Sequence, residues 1–110
     1  MLFLITWQKV MDGSKTLTTR RAFKYPDGHW HCNQVVGRTY CVQAQYGKRS
    51  IGRIKITEVK FRERLRDISE EDARAEGFAS VEEYLAAASK LYSKKSLDEP
   101  AWGIRFVRVE

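Results

Sequence analysis

The sequence lacks the features that mark membrane and secreted proteins. Among its 110 residues, no apolar run approaches the roughly 20 residues that a membrane-spanning helix needs. The apolar segment 1–5 has no basic region before it and no cleavage site after it, which argues against a signal peptide. The two cysteines, Cys32 and Cys41, are too few for a disulfide scaffold. We therefore expect a cytoplasmic protein with reduced thiols and no membrane partner.

The composition is typical of one folded domain. Hydrophobic residues make up 43% and charged residues 31% of the chain, which predicts a single domain over residues 1–110. The charge is unevenly distributed, since residues 1–60 contain eleven Lys and Arg against three Asp and Glu, a net charge of +8. Residues 61–110 contain nine against eleven, a net charge of −2. The first half is thus expected to face a polyanion or a phosphate-bearing partner, unless its charge serves only solubility.

Periodicity and turn residues predict a β-rich, α+β domain. Strands are expected at residues 1–5, 16–20, 39–46, 50–62 and 102–109, with a hairpin turn at 47–49. Residues 24–34 are expected to form a loop, because Pro26, Asp27 and Gly28 are a strong turn signal. A β-bulge near Gly52 would explain why the apolar residues of the fourth strand do not alternate cleanly.

Helix signals occur at three places. Residues 7–12 are expected to form a short helix that is capped by Thr6 and ends at Gly13. A second helix should begin after Ser69 and stop at Gly77, and a third should begin after Ser80. The third helix carries an apolar face that comprises Tyr84, Leu85, Ala88, Leu91 and Tyr92. Residues 94–100 are expected to link this helix to the last strand. Five or six mostly antiparallel strands with two or three short helices fit a small β-barrel.

The segment 13–20, Gly-Ser-Lys-Thr-Leu-Thr-Thr-Arg, has the form G-x-K-x-x-T-x-R. Thr18 and Arg20 share one face of a regular strand, whereas Lys15 meets Thr18 only if the chain is still turning near Gly13. A threonine hydroxyl beside a neutral amine is a nucleophile with its base. Burial, or the charge of Arg20, would lower the pKa of Lys15 as such a base requires. The alternative is an ordinary exposed strand.

Glu76 is a second candidate for a functional residue. It lies at the end of the second predicted helix, immediately before Gly77, where the helix dipole disfavours a carboxylate. A partner charge such as Lys15, or a catalytic role, would explain this position. The alternative is a surface residue whose charge is screened by solvent.

Together these segments resemble the ASCH domain family, whose fold is a β-barrel similar to the PUA RNA-binding domain. The resemblance rests on the motif at 13–20, on Ile-Lys-Ile-Thr-Glu-Val at 54–59, on the acidic segment 67–78 and on the last strand around 104–106. Small bacterial members hydrolyse N(4)-acetylcytidine to cytidine, and their lysine, threonine and glutamate match Lys15, Thr18 and Glu76. The resemblance implies an amidohydrolase without a metal or cofactor, in which Arg20 or a backbone N–H stabilises the oxyanion.

Two other functions remain open at this stage. The chain is also compatible with a non-catalytic PUA-like module that binds RNA, or with a metal-independent ribonuclease that uses His29 and His31. We expect either a small modified nucleoside or RNA as the partner and no obligate protein partner. The predicted substrate or RNA contacts are Arg20, Arg21, Tyr25, Trp30 and Arg53. His29, His31, Cys32 and Cys41 are zinc-ligand types, but their spacing matches no standard zinc module, so no metal site is predicted.

Overall fold

The computed structural model describes residues 1, 3, 6–45 and 47–109. Its helices are α1 (Trp7–Asp12), α2 (Glu70–Ala75) and α3 (Val81–Leu91). Its strands are β1 (Leu17–Arg21), β2 (Phe23–Lys24), β3 (Trp30–His31), β4 (Thr39–Val42), β5 (Gly52–Arg62) and β6 (Ala101–Val109). Short 3-10 turns, Leu65–Asp67 and Lys95–Asp98, lie before α2 and after α3. None of the helices formed by the described residues has the length and apolarity to cross a bilayer.

Four of the strands form one antiparallel sheet in the order β1-β6-β5-β4. The long strands β5 and β6 pair at its centre, and the sheet is curled into a half-barrel. The strands β2 and β3 form a separate hairpin. Six antiparallel strands and three short helices in the described part of the chain confirm the predicted class, an α+β fold built on a small β-barrel.

A β-bulge in β5 explains the irregular spacing of its apolar residues. Ile56 pairs with Phe106 and Glu58 pairs with Arg105, so that one extra residue, Thr57, lies between two consecutive pairs. Inward-facing positions are therefore even-numbered before the bulge and odd-numbered after it. The prediction of a bulge near Gly52 was wrong in its position. The bulge lies at Thr57, because the buried positions change from even to odd numbers only after Ile56.

The helices begin and end where the sequence predicts. Ser69 and Ser80 accept hydrogen bonds from the backbone amides of Asp72 and Glu83, both at 3.1 Å, and so cap α2 and α3. Thr6 occupies the position before α1, but its side chain makes no capping hydrogen bond. That detail of the prediction was wrong, although α1 itself has the predicted bounds.

Other segments differ from the sequence predictions. The predicted loop at 24–34 contains most of the β2–β3 hairpin, whose turn is closed by a hydrogen bond from the Tyr25 amide to the His29 carbonyl (2.8 Å). The predicted linker at 94–100 contains a 3-10 turn. The strand predicted at 39–46 ends at Val42, and residue 46 lies outside the described residues. The predicted opening strand at 1–5 also falls largely on residues outside them, namely 2, 4 and 5.

Two buried clusters stabilise the domain. The first joins α1 to the inner face of the sheet, and its buried members are Phe3, Val10, Val42, Ile54, Ile56, Ile104 and Phe106. The second joins α2, α3 and the 3-10 turns to the start of β6, and its buried members are Leu65, Ile68, Ala73, Tyr84, Ala88, Leu97 and Ala101. A cavity touches Phe3 of the first cluster and Ala88 of the second, so it lies where the two clusters meet.

Candidate active site

The G-x-K-x-x-T-x-R motif lies where α1 passes into β1. Gly13 ends the helix with a φ of 85°, a conformation that favours glycine. The Lys15 amide then donates to the Lys9 carbonyl (3.0 Å), and the Thr16 amide donates to the carbonyl of Ala75 at the end of α2 (2.7 Å). The chain is therefore still turning at Lys15, and strand alternation does not force its side chain away from that of Thr18.

Lys15 and Glu76 form a buried ion pair. The Lys15 Nζ lies 3.5 Å from Glu76 Oε1 and donates to the Glu76 carbonyl oxygen at 3.2 Å. Each of the two side chains is only 4% exposed. The partner charge that the sequence suggested for Glu76 is therefore Lys15, and the alternative of a solvent-screened surface carboxylate is excluded.

Burial shifts both members of this pair towards their neutral forms. It lowers the pKa of Lys15, and the attraction of Glu76 opposes this shift only in part. Burial also raises the pKa of Glu76, against the opposing effect of the Lys15 charge. A neutral amine accepts a proton and a neutral carboxyl donates one, so the pair is suited to general acid–base chemistry.

Thr18 is a buried polar residue of β1. It lies opposite Ile104 of β6 and is 6% exposed. No hydrogen bond joins its hydroxyl to another residue in the described part of the chain, and the side chain lines the same cavity as Lys15 and Glu76. The hydroxyl is therefore available to a ligand in that cavity.

The cavity that these residues share is small and mostly apolar. Its volume is about 280 Å³, close to the lower end of the roughly 300–1,000 Å³ of small-molecule sites. Its polar lining comes from the motif and Glu76, and much of its apolar lining comes from Ala87, Ala88 and Leu91 of α3. An apolar lining with a few polar groups is typical of a ligand site.

Tyr84 and Tyr92 are functional candidates that the sequence suggested only as members of an apolar helix face. Both line the cavity, and burial raises the pKa of both phenols, so they remain protonated. The Tyr92 hydroxyl donates to the Thr19 carbonyl oxygen (3.4 Å), and the Tyr84 phenol interacts with the Glu76 carboxylate. A buried phenol usually has a hydrogen-bond partner, and this rule is the signal that could have identified the two tyrosines from the sequence.

Arg20 follows Thr18 by two positions on β1 and also lines the cavity. Its guanidinium lies 5.1 Å from the centre of the Phe3 ring. Burial lowers the pKa of Arg20, but a guanidinium keeps its charge at any ordinary pH. Arg20 is therefore a permanent cation in the lining of the cavity that also contains the buried Lys15–Glu76 pair.

The remaining predicted contact residues do not line this cavity. Arg21 forms an ion pair with Glu99 (2.8 Å) and faces a second cavity. Tyr25 and Trp30 are partly exposed on the β2–β3 hairpin. Arg53 is exposed on β5, donates to the Thr39 hydroxyl (2.8 Å) and lines neither cavity.

The two histidines have different contacts. His29 is exposed and contacts Asp27 (3.1 Å), whereas His31 contacts Asn33 and packs against the Tyr25 ring. Within the described residues, no group of three or more His, Cys, Asp or Glu side chains is placed to hold a metal ion.

Comparison with known proteins gives structural matches only. No family model matches the chain, and no curated protein matches it. The ASCH domain from Lactobacillus crispatus JV V101 is similar, at 21% identity and a TM-score of 0.76, over 94% of this chain and 70% of that one. Protein EF3133 from Enterococcus faecalis V583, of family DUF984, is 18% identical with a TM-score of 0.69, over 94% of this chain and 66% of that one.

A third solved structure, hypothetical protein PH0355, is 12% identical with a TM-score of 0.72, over 99% of this chain and 96% of that one. At these identities the similarity establishes the fold. The chain has the fold of that ASCH domain, and the resemblance that the sequence motifs predicted is confirmed at the level of the fold.

Proposed function

We propose that this protein hydrolyses the amide of an N(4)-acylated cytidine or a similar small acylated nucleoside. The observation that carries the proposal is the buried Lys15–Glu76 pair, which lines a cavity together with Thr18, whose hydroxyl has no hydrogen-bond partner among the described residues. Burial costs each charged group free energy, so it lowers the pKa of Lys15 and raises the pKa of Glu76, and such shifts are typical of sites of proton transfer.

In the first half of the reaction the acyl group moves to the protein. Thr18 Oγ1 bonds to the amide carbonyl carbon while its proton passes to the neutral Lys15 amine. The negative charge on the carbonyl oxygen is stabilised by Arg20, the cation two residues along the strand. The C–N bond then breaks, and the leaving N4 nitrogen takes the proton of the Glu76 carboxyl. Cytidine departs and an acyl ester of Thr18 remains.

In the second half, water releases the acyl group. The water oxygen bonds to the ester carbonyl carbon, and one water proton passes to the Glu76 carboxylate. The ester C–O bond breaks and the Thr18 oxygen recovers its proton from the Lys15 ammonium. The products are a carboxylic acid and a protein whose Lys15 and Glu76 are both neutral again. These steps use only side chains of the protein and water.

The test is the release of cytidine from N(4)-acetylcytidine, followed by chromatography. We expect the wild type to form cytidine, and Thr18→Ala and Lys15→Met to lose at least about a hundredfold in rate. Thr57→Ala is the matched control, since Thr57 is exposed at the bulge and lines neither cavity. Absence of cytidine with the wild type, or equal rates in the wild type and Thr18→Ala, would contradict the proposal.

A second candidate function is RNA binding without turnover. It is favoured by the surface of the β2–β3 hairpin, where the exposed rings of Phe23 and Trp30 each lie beside a cation. Arg21 lies 5.8 Å from the Phe23 ring centre and Lys24 lies 5.4 Å from that of Trp30. Exposed rings beside cations are typical of surfaces that stack on single-stranded bases.

Titration with oligocytidylate at several salt concentrations tests this second candidate. We expect binding that weakens steadily with salt and falls in Trp30→Ala. Binding that is independent of salt or of Trp30 would contradict it. The ribonuclease alternative has less support, because His29 and His31 have different contacts and only His31 lines a cavity.

A further inference from the structure

A second cavity adjoins the first. Its volume is about 320 Å³, and Arg20 and Tyr92 line both cavities, so these two side chains form a common wall. The second cavity opens between the end of β1 and the segment around β3. The two cavities are therefore neighbours, separated by the side chains of Arg20 and Tyr92.

The two cavities differ in chemistry. The first holds the Lys15–Glu76 pair and a mostly apolar wall. The lining of the second includes two arginines, Arg20 and Arg21, the polar residues His31, Asn33 and Gln34, and the rings of Phe23 and Trp102; none of the described residues that line it is Asp or Glu. Arginine forks and uncharged donors without an opposing carboxylate in the lining favour an anion with several acceptor oxygens, such as a phosphate.

Arg21 is held by a partner that an anion can replace. Its ion pair with Glu99 is 2.8 Å long, and the two side chains are 40% and 34% exposed. An exposed ion pair contributes little free energy. A phosphate monoester carries more charge than one carboxylate and offers more acceptor oxygens, so it competes well for the guanidinium, whereas a phosphodiester equals the carboxylate in charge. Glu99 itself does not line the cavity.

We propose that the second cavity binds a phosphate attached to the substrate, so that the ligand is an acylated cytidine nucleotide rather than the bare nucleoside. This inference rests on the proposed function for the identity of the base. The base and acyl group occupy the first cavity, and the phosphate lies beside Arg20 and Arg21. The phosphate is either the monoester of a free nucleotide or the phosphodiester of a short RNA.

The test compares the affinities of the protein for cytidine and for its monophosphates, measured by titration calorimetry. Because these ligands carry no acyl group, the protein cannot hydrolyse them during the measurement. We expect cytidine 5′-monophosphate or 3′-monophosphate to bind the wild type about tenfold or more tightly than cytidine. In Arg21→Gln the ratio of these affinities should fall towards one, and Glu99→Gln should raise it. Arg38→Ala is the matched control, since Arg38 is exposed and lines neither cavity.

The dinucleotide cytidylyl-cytidine separates the two sources of phosphate. Tighter binding than the monophosphates indicates RNA, and weaker binding indicates a free nucleotide. Equal affinities for cytidine and both monophosphates, or a ratio unchanged in Arg21→Gln, would overturn the proposal. If the protein hydrolyses N(4)-acetylcytidine but binds the monophosphates no more tightly than cytidine, only the proposed phosphate site is contradicted. If it binds them more tightly in a way that depends on Arg21 but hydrolyses no acylated cytidine, the phosphate site is supported and the proposed reaction is contradicted.

Discussion

Lys15 and Glu76 occupy positions that stability alone does not favour. Removing two charged groups from water costs several kcal/mol per ion, and here the 3.5 Å contact between the side chains and the 3.2 Å hydrogen bond to the Glu76 carbonyl oxygen offset only part of that cost. Glu76 also stands at the C-terminal cap of α2, where the helix dipole disfavours a carboxylate. A pair that costs stability in two ways, and that lines a cavity, is better explained by chemistry than by folding.

Removing one member of the pair should cost more than removing both. Glu76→Leu is expected to lower the free energy of unfolding by about 3 kcal/mol, because Lys15 is left buried without its partner. Adding Lys15→Met should recover most of this loss, since methionine fills the space of the lysine stem without its charge. Urea denaturation of the two single variants and the double variant measures this coupling. Losses that simply add would contradict the account.

The Glu76→Leu variant should also gain stability as the pH rises. Burial lowers the pKa of Lys15 in the folded state below its ordinary value of 10.5, and Glu76 is the main group that opposes this shift. Between the two pKa values the unfolded chain binds more protons than the folded one, so the free energy of unfolding increases with pH across that window. Urea midpoints over a pH series measure the effect. A pH dependence equal to that of the wild type would count against it.

The sequence singled out three polar residues that line the cavity, but it did not single out the two tyrosines that line it as well. Lys15, Thr18 and Glu76 were recognisable because each residue type is unusual at its position or belongs to a motif. Tyr84 and Tyr92 follow the spacing of a helix face, and such spacing is the same for a core residue and for a residue that lines a cavity. Only the tertiary structure distinguishes the two.

The turn between α2 and α3 determines where Glu76 lies. Gly77 has a φ of 96°, a Cβ added to it would lie 2.8 Å from Lys9 Cδ, and its carbonyl accepts a hydrogen bond from Lys9 Nζ (2.5 Å). Gly77→Ala is expected to lower the free energy of unfolding by about 1–2 kcal/mol. It should also lower the rate of cytidine release, because the displaced turn carries Glu76. Urea denaturation and the chromatographic assay measure the two effects.

Gly37→Ala is the matched control for Gly77→Ala. Gly37 has a φ of 90°, but an added Cβ would meet nothing within 4 Å, and Gly37 lines neither cavity. We expect this variant to lose stability and to keep its rate. Equal losses of rate in both variants would show that the turn at Gly77 has no particular link to the site.

Cap and turn residues in the sequence correctly predicted the ends of the helices. The serine caps located α2 and α3, and glycine located the end of α1. The β2–β3 hairpin was missed because each of its strands has two residues, too few for any periodicity. The bulge was misplaced because its position depends on the register between β5 and β6, which no local pattern specifies.

The first cavity lies between the two buried clusters of the molecule. It lies where the cluster under the sheet meets the cluster between the helices, so a ligand there contacts both. The basic residues of the first half that line this cavity are Lys15 and Arg20. Both halves of the chain line this cavity, so the distribution of charge does not locate it, and the meeting of the clusters follows only from the fold.

A ligand at this junction should stabilise the whole domain. We expect cytidine to raise the melting temperature in proportion to the logarithm of its concentration, because only the folded state binds it. Ala87→Trp should abolish the effect, since Ala87 is a partly exposed residue of α3 that lines the cavity and a larger side chain there fills it. Calorimetric melting curves provide the measurement. An equal shift in the wild type and in Ala87→Trp would show that cytidine binds elsewhere.

The most direct test of the central claim is the rate of cytidine release from N(4)-acetylcytidine as a function of pH. If the neutral Lys15–Glu76 pair is the active form, the rate should rise as the pair loses its first proton and fall as it loses its second. Glu76→Gln should lower the maximum rate and leave a single rising limb that reports Lys15. No release of cytidine at any pH, or an identical profile in Glu76→Gln, would contradict the account.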